Sequence, residues 1–214
     1  MAFNFFKKKN PEKKAQADTA SSGKYRQLRV KEVIKETKDA ITIVFEKAES
    51  PLTYKSGQFL TLIINIDGKE VRRAYSLSSS PVIDSQLAVT VKRVDGGLVS
   101  NWLNDRCAAG DTIKVMEAMG SFTTEYNESN KRHLIMFAGG SGITPMMSII
   151  KTVLVKEPDS ICSLIYCNRN LDSIIFRDAL DELQANYEGR LRVIHVLDDA
   201  PMNWQGHSGL LNHD

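Results

Sequence analysis

The stretch "HLIMFAGGSGITPMMSIIKTVLVKEP", residues 133–158, decides how the second half of this chain folds. Its first seven residues form a continuous apolar run that ends in glycine and reads as a strand. After the turn, Met146, Ile149, Ile150, Val153 and Leu154 keep the i, i+3, i+4, i+7, i+8 spacing of a helix face. Thr144 is expected as the N-cap and Pro145 as the first helical residue, and Pro158 ends the element. A strand "CSLIYCN" (162–168), a helix "SIIFRDALDELQAN" (173–186) and a strand "LRVIHVL" (191–197) follow. The order β-α-β-α-β predicts a parallel sheet with crossover helices. The final "GHSGLLNHD", 206–214, reads as the start of another element. Three strands are few for a doubly wound sheet, so the expectation is an incomplete α/β domain at residues 132–214, truncated at its C-terminus.

Upstream the texture is different. "YRQLRVKEVIKE", "AITIVFEKA", "QFLTLIINI", "EVRRAYSL", "QLAVTVKRV" and "DTIKVMEAMG" are short, often alternating and rich in Val, Ile and Thr. Asp67-Gly68 is a turn between the third and fourth, and Ser80-Pro81 follows the fourth. Six such strands in about 100 residues predict a small antiparallel barrel, residues 24–127. One helix interrupts them, "GGLVSNWLNDR", with Leu98, Trp102 and Leu103 as its expected apolar side.

The first 24 residues carry a net +4 against +2 for the whole chain, so residues 1–23 are expected to be a disordered basic tail. The overall charge excludes a nucleic-acid binder, and no apolar run approaches the ~20 residues of a membrane span, so no stable membrane association is expected. The three cysteines, Cys107, Cys162 and Cys167, are an odd set that suits a reducing cytoplasmic setting. Cys162 and Cys167 fall in one strand on opposite faces and read as structural thiols. His133, His195, His207 and His213 lack metal-ligand spacing, and His195 is expected to be satisfied within its strand.

Two glycine-led turns could hold phosphate. "AGGSGITP", 138–145, joins a strand to a helix N-terminus, where main-chain N–H groups and the helix dipole favour an anion. It is neither G-x-G-x-x-G nor a Walker loop. "GGLVSNWL", 96–103, offers a second such start, with Lys92 and Arg93 just before it. Asn168-Arg169 ends the second strand of the α/β half. An Arg there suits a 2′-phosphate better than a free ribose hydroxyl, and Ser173 and Arg177 stand ready to assist. In "VRRAYSLSSSP", 71–81, alternation puts Arg73, Tyr75 and Leu77 on one side and Arg72, Ala74 and Ser76 on the other. Ser78, Ser79 and Ser80 read as a polar turn.

Taken together, "RAYS", "VKR…GGLVSNWL", "GSF" at 120–122, "AGGSGITP" and "YCNRNLDSIIFRDALDEL" resemble the ferredoxin–NADP reductase superfamily. Within it they resemble the oxygenase-reductase branch, including phenylacetyl-CoA epoxidase reductase-like proteins. The resemblance implies an antiparallel barrel that binds FAD (the FR type) followed by an NAD(P)-binding α/β domain. It implies that Arg73 meets the FAD pyrophosphate, that Tyr75 stacks on the isoalloxazine or ribityl region, that Ala74 between them belongs to the cofactor site, and that Ser76 lies near flavin N5, where the hydride arrives. Gly97, Leu98, Val99 and Ser100 would complete the diphosphate site, and Val91 and Lys92 would line the adenosine side. Gly139, Gly140, Ser141, Gly142, Ile143 and Thr144 would meet the pyridine nucleotide, with Thr144 near the nicotinamide and Asn168, Arg169, Ser173 and Arg177 beyond it. Ser76 and Thr144 are thereby the candidate catalytic pair. The implied function is an NAD(P)H-dependent flavoprotein reductase that feeds an oxygenase component or a ferredoxin. A [2Fe-2S] centre belongs to it only if a further C-terminal domain exists. The alternative is a flavin-binding electron-transfer or regulatory subunit that does not oxidise NAD(P)H itself.

Overall fold

A computed structural model describes residues 25–50 and 52–209; the basic tail expected at residues 1–23 lies outside them. Six strands form the first sheet: β1 (Tyr25–Thr37), β2 (Ala40–Phe45), β3 (Phe59–Ile66), β4 (Lys69–Ser76), β5 (Ala88–Lys92) and β6 (Thr112–Met116). Their order is β4-β3-β6-β1-β2-β5, and all pairs are antiparallel. A bridge between Leu77 and Val89 joins the two edges, so the sheet closes into a barrel. At the β3–β4 hairpin Asp67 and Gly68 have φ of 51° and 77°, the two successive left-handed residues that a two-residue turn of this hand requires. Leu28, Val30, Ile43, Phe45, Leu60, Leu62, Val89 and Val91 fill the barrel.

Helix α1 (Leu98–Arg106) lies between β5 and β6. It buries Val99, Ser100 and Leu103, whereas Leu98 is 53% exposed. The apolar side is therefore Val99–Leu103 rather than Leu98–Trp102; of the expected residues Leu103 is buried and Trp102 packs partly buried on the barrel, while Leu98 turns outward. Both pairs have i, i+4 spacing, and only contact with the barrel chooses between them.

The second sheet is wholly parallel: β7 (His133–Gly139), β8 (Ile161–Asn168), β9 (Leu191–Leu197) and β10 (His207–Ser208), in the order β10-β9-β8-β7. Helix α2 (Ile143–Lys156) and helix α3 (Arg177–Asn186) are the crossovers. Thr144 is not the N-cap: a 3-10 turn at Gly140–Gly142 moves the cap to Gly142, and Thr144 lies inside the helix with its hydroxyl donating to Ser141 O at 2.9 Å. Helix α3 begins later than expected. Leu171–Ser173 is a separate 3-10 turn, and Phe176 before the helix holds φ 63°. Ser173 and Arg177 consequently belong to different elements.

The halves meet through hydroxyls. Thr152 of α2 donates to Ser148 O at 2.8 Å, so its oxygen must accept from Ser56 (2.6 Å) and Ser80 (2.8 Å). Ser148 donates to Ser79 O at 2.6 Å, and Lys151 pairs with Asp84. Ser78, Ser79 and Ser80 are thus not a solvated turn; they are buried at 4%, 2% and 0% exposure. The Ser80 hydroxyl and the Ser79 carbonyl face a polar helix flank rather than water, and the hydroxyls of Ser78 and Ser79 bond to Ala88 and Tyr54 within the barrel half. Thr152→Val should strand two buried donors and lower stability by about 1–3 kcal/mol for each, read from urea unfolding, with Thr152→Ser near wild type. A Thr152→Val variant of unchanged stability would show that the hydroxyl joint is dispensable.

Candidate active site

The joint leaves a cleft of about 470 Å³ whose lining comes from both halves. The end of β4 contributes Arg73, Ala74, Tyr75 and Ser76; β5 contributes Thr90 and Lys92; Gly97, Leu98, Val99 and Ser100 begin α1; Ser141 and Thr144 reach it from the second half. Among the described residues no carboxylate lines the cleft, and two cations do. Arg73 is exposed and its Nη1 donates to Arg72 O at 2.8 Å, which steadies the guanidinium without neutralising it. Burial pushes the Tyr75 hydroxyl above its ordinary range, with the Arg73 charge pulling the other way, so the ring enters the cleft neutral. At α1 the cap is Gly97, which has no side chain to bond the first-turn N–H groups of Leu98, Val99 and Ser100. Positive charge, a helix N-terminus and an aromatic face together suit a flat ligand with a pyrophosphate.

Above it the turn after β7 presents bare backbone. A Cβ at Gly139 or Gly142 would meet nothing within 4 Å. Gly140 has φ 48°, and a Cβ there would stand 3.1 Å from Lys92 Nζ. Lys92 therefore reaches from the barrel to the glycine turn of the other half, and a side chain at position 140 would displace its ammonium.

Two family models match the chain: an oxidoreductase FAD-binding domain over residues 26–124 and an oxidoreductase NAD-binding domain over residues 136–214. The chain belongs to the ferredoxin–NADP reductase superfamily. It is 45% identical over 179 residues to the ferredoxin reductase component of 3-ketosteroid-9-alpha-monooxygenase from Mycolicibacterium smegmatis, covering 80% of this chain and 50% of that protein. It is 34% identical over 191 residues to the glycine betaine monooxygenase reductase of Pseudomonas aeruginosa, covering 86% and 50%. A crystal structure of a ferredoxin NADP+ reductase from Neisseria gonorrhoeae with bound FAD and NADP superposes with a TM-score of 0.72 at 26% identity, covering 89% of this chain and 74% of that one. The chain spans about half the length of the curated relatives it matches.

The superfamily member departs from the expected residue set at several points. Val91 is fully buried in the barrel core and does not line the cleft; its neighbour Thr90 does. Alternation along β5 carries the signal: Ala88, Thr90 and Lys92 share one face, so choosing Lys92 should have chosen Thr90. Val94 also lines the cleft and was not among the expected residues. Ile143 is buried at 0% exposure and its N–H closes the 3-10 turn on Gly140 O and Ser141 O. At the end of β8, Asn168 is 5% exposed with neither amide atom hydrogen-bonded among the described residues, while Arg169 is exposed. Ser173 is occupied in a capping box with Asn170, and Arg177 pairs with the exposed Asp178. His195 is not satisfied: both ring nitrogens are buried without a partner among the described residues, and the ring packs at 5.8 Å and 44° on Tyr166. Burial holds it below its ordinary pKa, and Arg177 adds to this against Asp181, so the neutral imidazole serves as an aromatic surface. Cys107, Cys162 and Cys167 are free thiols, with Cys162 buried. No group of three metal-ligating side chains occurs among the described residues, and no helix there is long and apolar enough to cross a membrane.

Proposed function

We propose that this chain is the flavin- and nicotinamide-binding part of an NAD(P)H-dependent reductase that passes electrons to a protein acceptor, an oxygenase component or a ferredoxin-type iron–sulfur protein. The observation that carries this reading is the carboxylate-free cleft with Arg73, Lys92, the Tyr75 ring and the start of α1, covered by the glycine turn of the second half. Residues 24–127 form the FAD domain and residues 132–214 the NAD(P) domain. Arg73 and the first-turn N–H groups of α1 hold the FAD pyrophosphate, Tyr75 stacks on the flavin, and Lys92 lies on the adenosine side. Ser76 and Thr144, lining the same cleft from opposite halves, flank the place where the two rings meet. Thr144 is held by Ser141 O, so it orients by position and not by exchanging a proton. When bound, FAD takes an electron pair as hydride and returns electrons singly. The protein positions two rings and excludes water. Arg169, exposed just past the end of β8, favours the 2′-phosphate of NADP(H) over NAD(H). The names of the relatives, which are reductase components of oxygenases, support a protein acceptor. The free thiols suit a cytoplasmic protein.

The visible spectrum of the purified chain tests the reading. Flavin absorption in the preparation, or on adding FAD, is the expected result. A chain that neither retains nor takes up FAD overturns it.

A further inference from the structure

A row of hydroxyls runs along the outer face of the barrel beside the cleft. Thr90, which lines the cleft, is paired across the sheet with Thr42 of β2, and their Oγ1 atoms are 2.8 Å apart. Thr42 Oγ1 lies 2.6 Å from Oε1 of Glu36 near the end of β1. Thr42 and Thr90 are 5% and 3% exposed, so no water need intervene along the row. Glu36 opens on a second cleft of about 550 Å³ farther along the same outer face of the barrel, which Asp84, Lys151 and Glu182 also line.

The row has a direction. A threonine hydroxyl carries one proton. Thr42 donates to Glu36, so Thr90 must donate to Thr42, which leaves the lone pairs of Thr90 as acceptors. Ser78 Oγ lies 3.2 Å from Thr90 Oγ1 and is the longer alternative. Phe176 of the second half, which adopts φ 63°, lines the same cleft as Glu36. A bulky side chain in the left-handed region persists only where its surroundings impose it. Burial raises the Glu36 pKa, against the bond from Thr42.

We propose that Thr90, Thr42 and Glu36 are a proton relay between the flavin cleft and the water of the second cleft. The proposal rests on the flavin reading above. A hydride carries two electrons and one proton to the flavin. When the two electrons leave singly to one-electron acceptors, that proton must leave too. With FAD held in the cleft, the Thr90 oxygen would take a proton from it as its own passes to Thr42, the Thr42 proton would pass to the Glu36 carboxylate, and Glu36 would release it into the second cleft. No charge is left on either threonine, and one proton is delivered for each hydride received.

The test uses the FAD-loaded chain reduced with dithionite and mixed with ferricyanide in weakly buffered solution containing a pH-indicator dye. Flavin absorbance follows the electrons and the dye follows the proton. Glu36→Gln, which keeps an acceptor oxygen but cannot carry the proton, and Thr42→Val should each slow proton release about 100-fold. Thr42→Ser should restore it. A second readout needs no flavin: carbon-13 NMR titration of Glu36 should show its pKa higher in Thr42→Val, because a donor to the carboxylate is lost. Proton release that keeps pace with reoxidation in both variants, with FAD bound normally, overturns the relay and leaves the flavin reading intact. An unchanged Glu36 pKa in Thr42→Val also overturns the relay. A chain that binds no FAD overturns the flavin reading first and the relay with it.

Discussion

Arg132→Ala is expected to lower the stability of the chain by up to about 3–5 kcal/mol, because it leaves the buried Glu157 carboxylate without its partner, although Arg132 itself is 34% exposed. Glu157, which caps the end of α2, has a side chain 0% exposed. Its carboxylate receives Arg132 Nε at 2.9 Å and Nη2 at 2.7 Å, Asn130 Nδ2 at 2.7 Å and Ser160 Oγ at 2.8 Å. Arg132 also donates to Thr124 Oγ1 at 2.9 Å and to Glu125 O at 3.0 Å. One guanidinium therefore fastens the connection between the sheets to the C-terminal end of α2. Burial acts to raise the Glu157 pKa, but the bonds from Arg132, Asn130 and Ser160 outweigh it and hold the pKa below the ordinary value. The pair thus contributes its full stability above the unfolded carboxylate pKa of about 4.3 and loses it as the pH falls through the lower folded value. Without Arg132 burial is less opposed, so the gap between variant and wild type should narrow in acid. Urea unfolding at pH 7 and pH 4 reads both effects. A loss below about 1 kcal/mol would mean that the pair behaves as an exposed one.

The second large effect is on the cofactor. Arg73→Ala should weaken FAD binding by about 1.5–3 kcal/mol, roughly 10- to 150-fold, the worth of a hydrogen bond to a charged group. Arg72→Ala is the matched control. The Arg72 guanidinium lies over the Tyr25 ring at 5.8 Å and is absent from the cleft lining, so FAD affinity should be nearly unchanged. Tryptophan or flavin fluorescence titration measures both. Equal losses in the two variants would remove Arg73 from the site and attribute the effect to the charge of the surface.

The readings that held rest on local rules. Six alternating segments closed into the barrel, and the Asp67-Gly68 turn adopted the backbone that only such residues tolerate cheaply. The apolar run at 133–139 became a parallel strand feeding a glycine turn and a helix. The readings that moved did so where a neighbour far along the chain decides. Val91 and Thr90 look equally plausible in "VTVK" until the sheet chooses which face is core. Thr144 looks like a cap until Gly140 shifts the helix start by adopting φ 48°.

By itself the sequence determined the element types, the two glycine-led turns and the pairing of Arg73 with Tyr75 on one strand face, because period, turn chemistry and strand alternation act over a few residues. Tertiary structure alone decided the burial of Ser78, Ser79 and Ser80, the contact of Lys92 with the Gly140 turn and the row from Thr90 to Glu36. Ser80 finds Thr152 across 72 positions, and Thr42 finds Thr90 across 48. A hydroxyl in a sequence is silent about whether it will meet water or another hydroxyl. Only the packing of one half on the other, by excluding water, turns it into a specific bond.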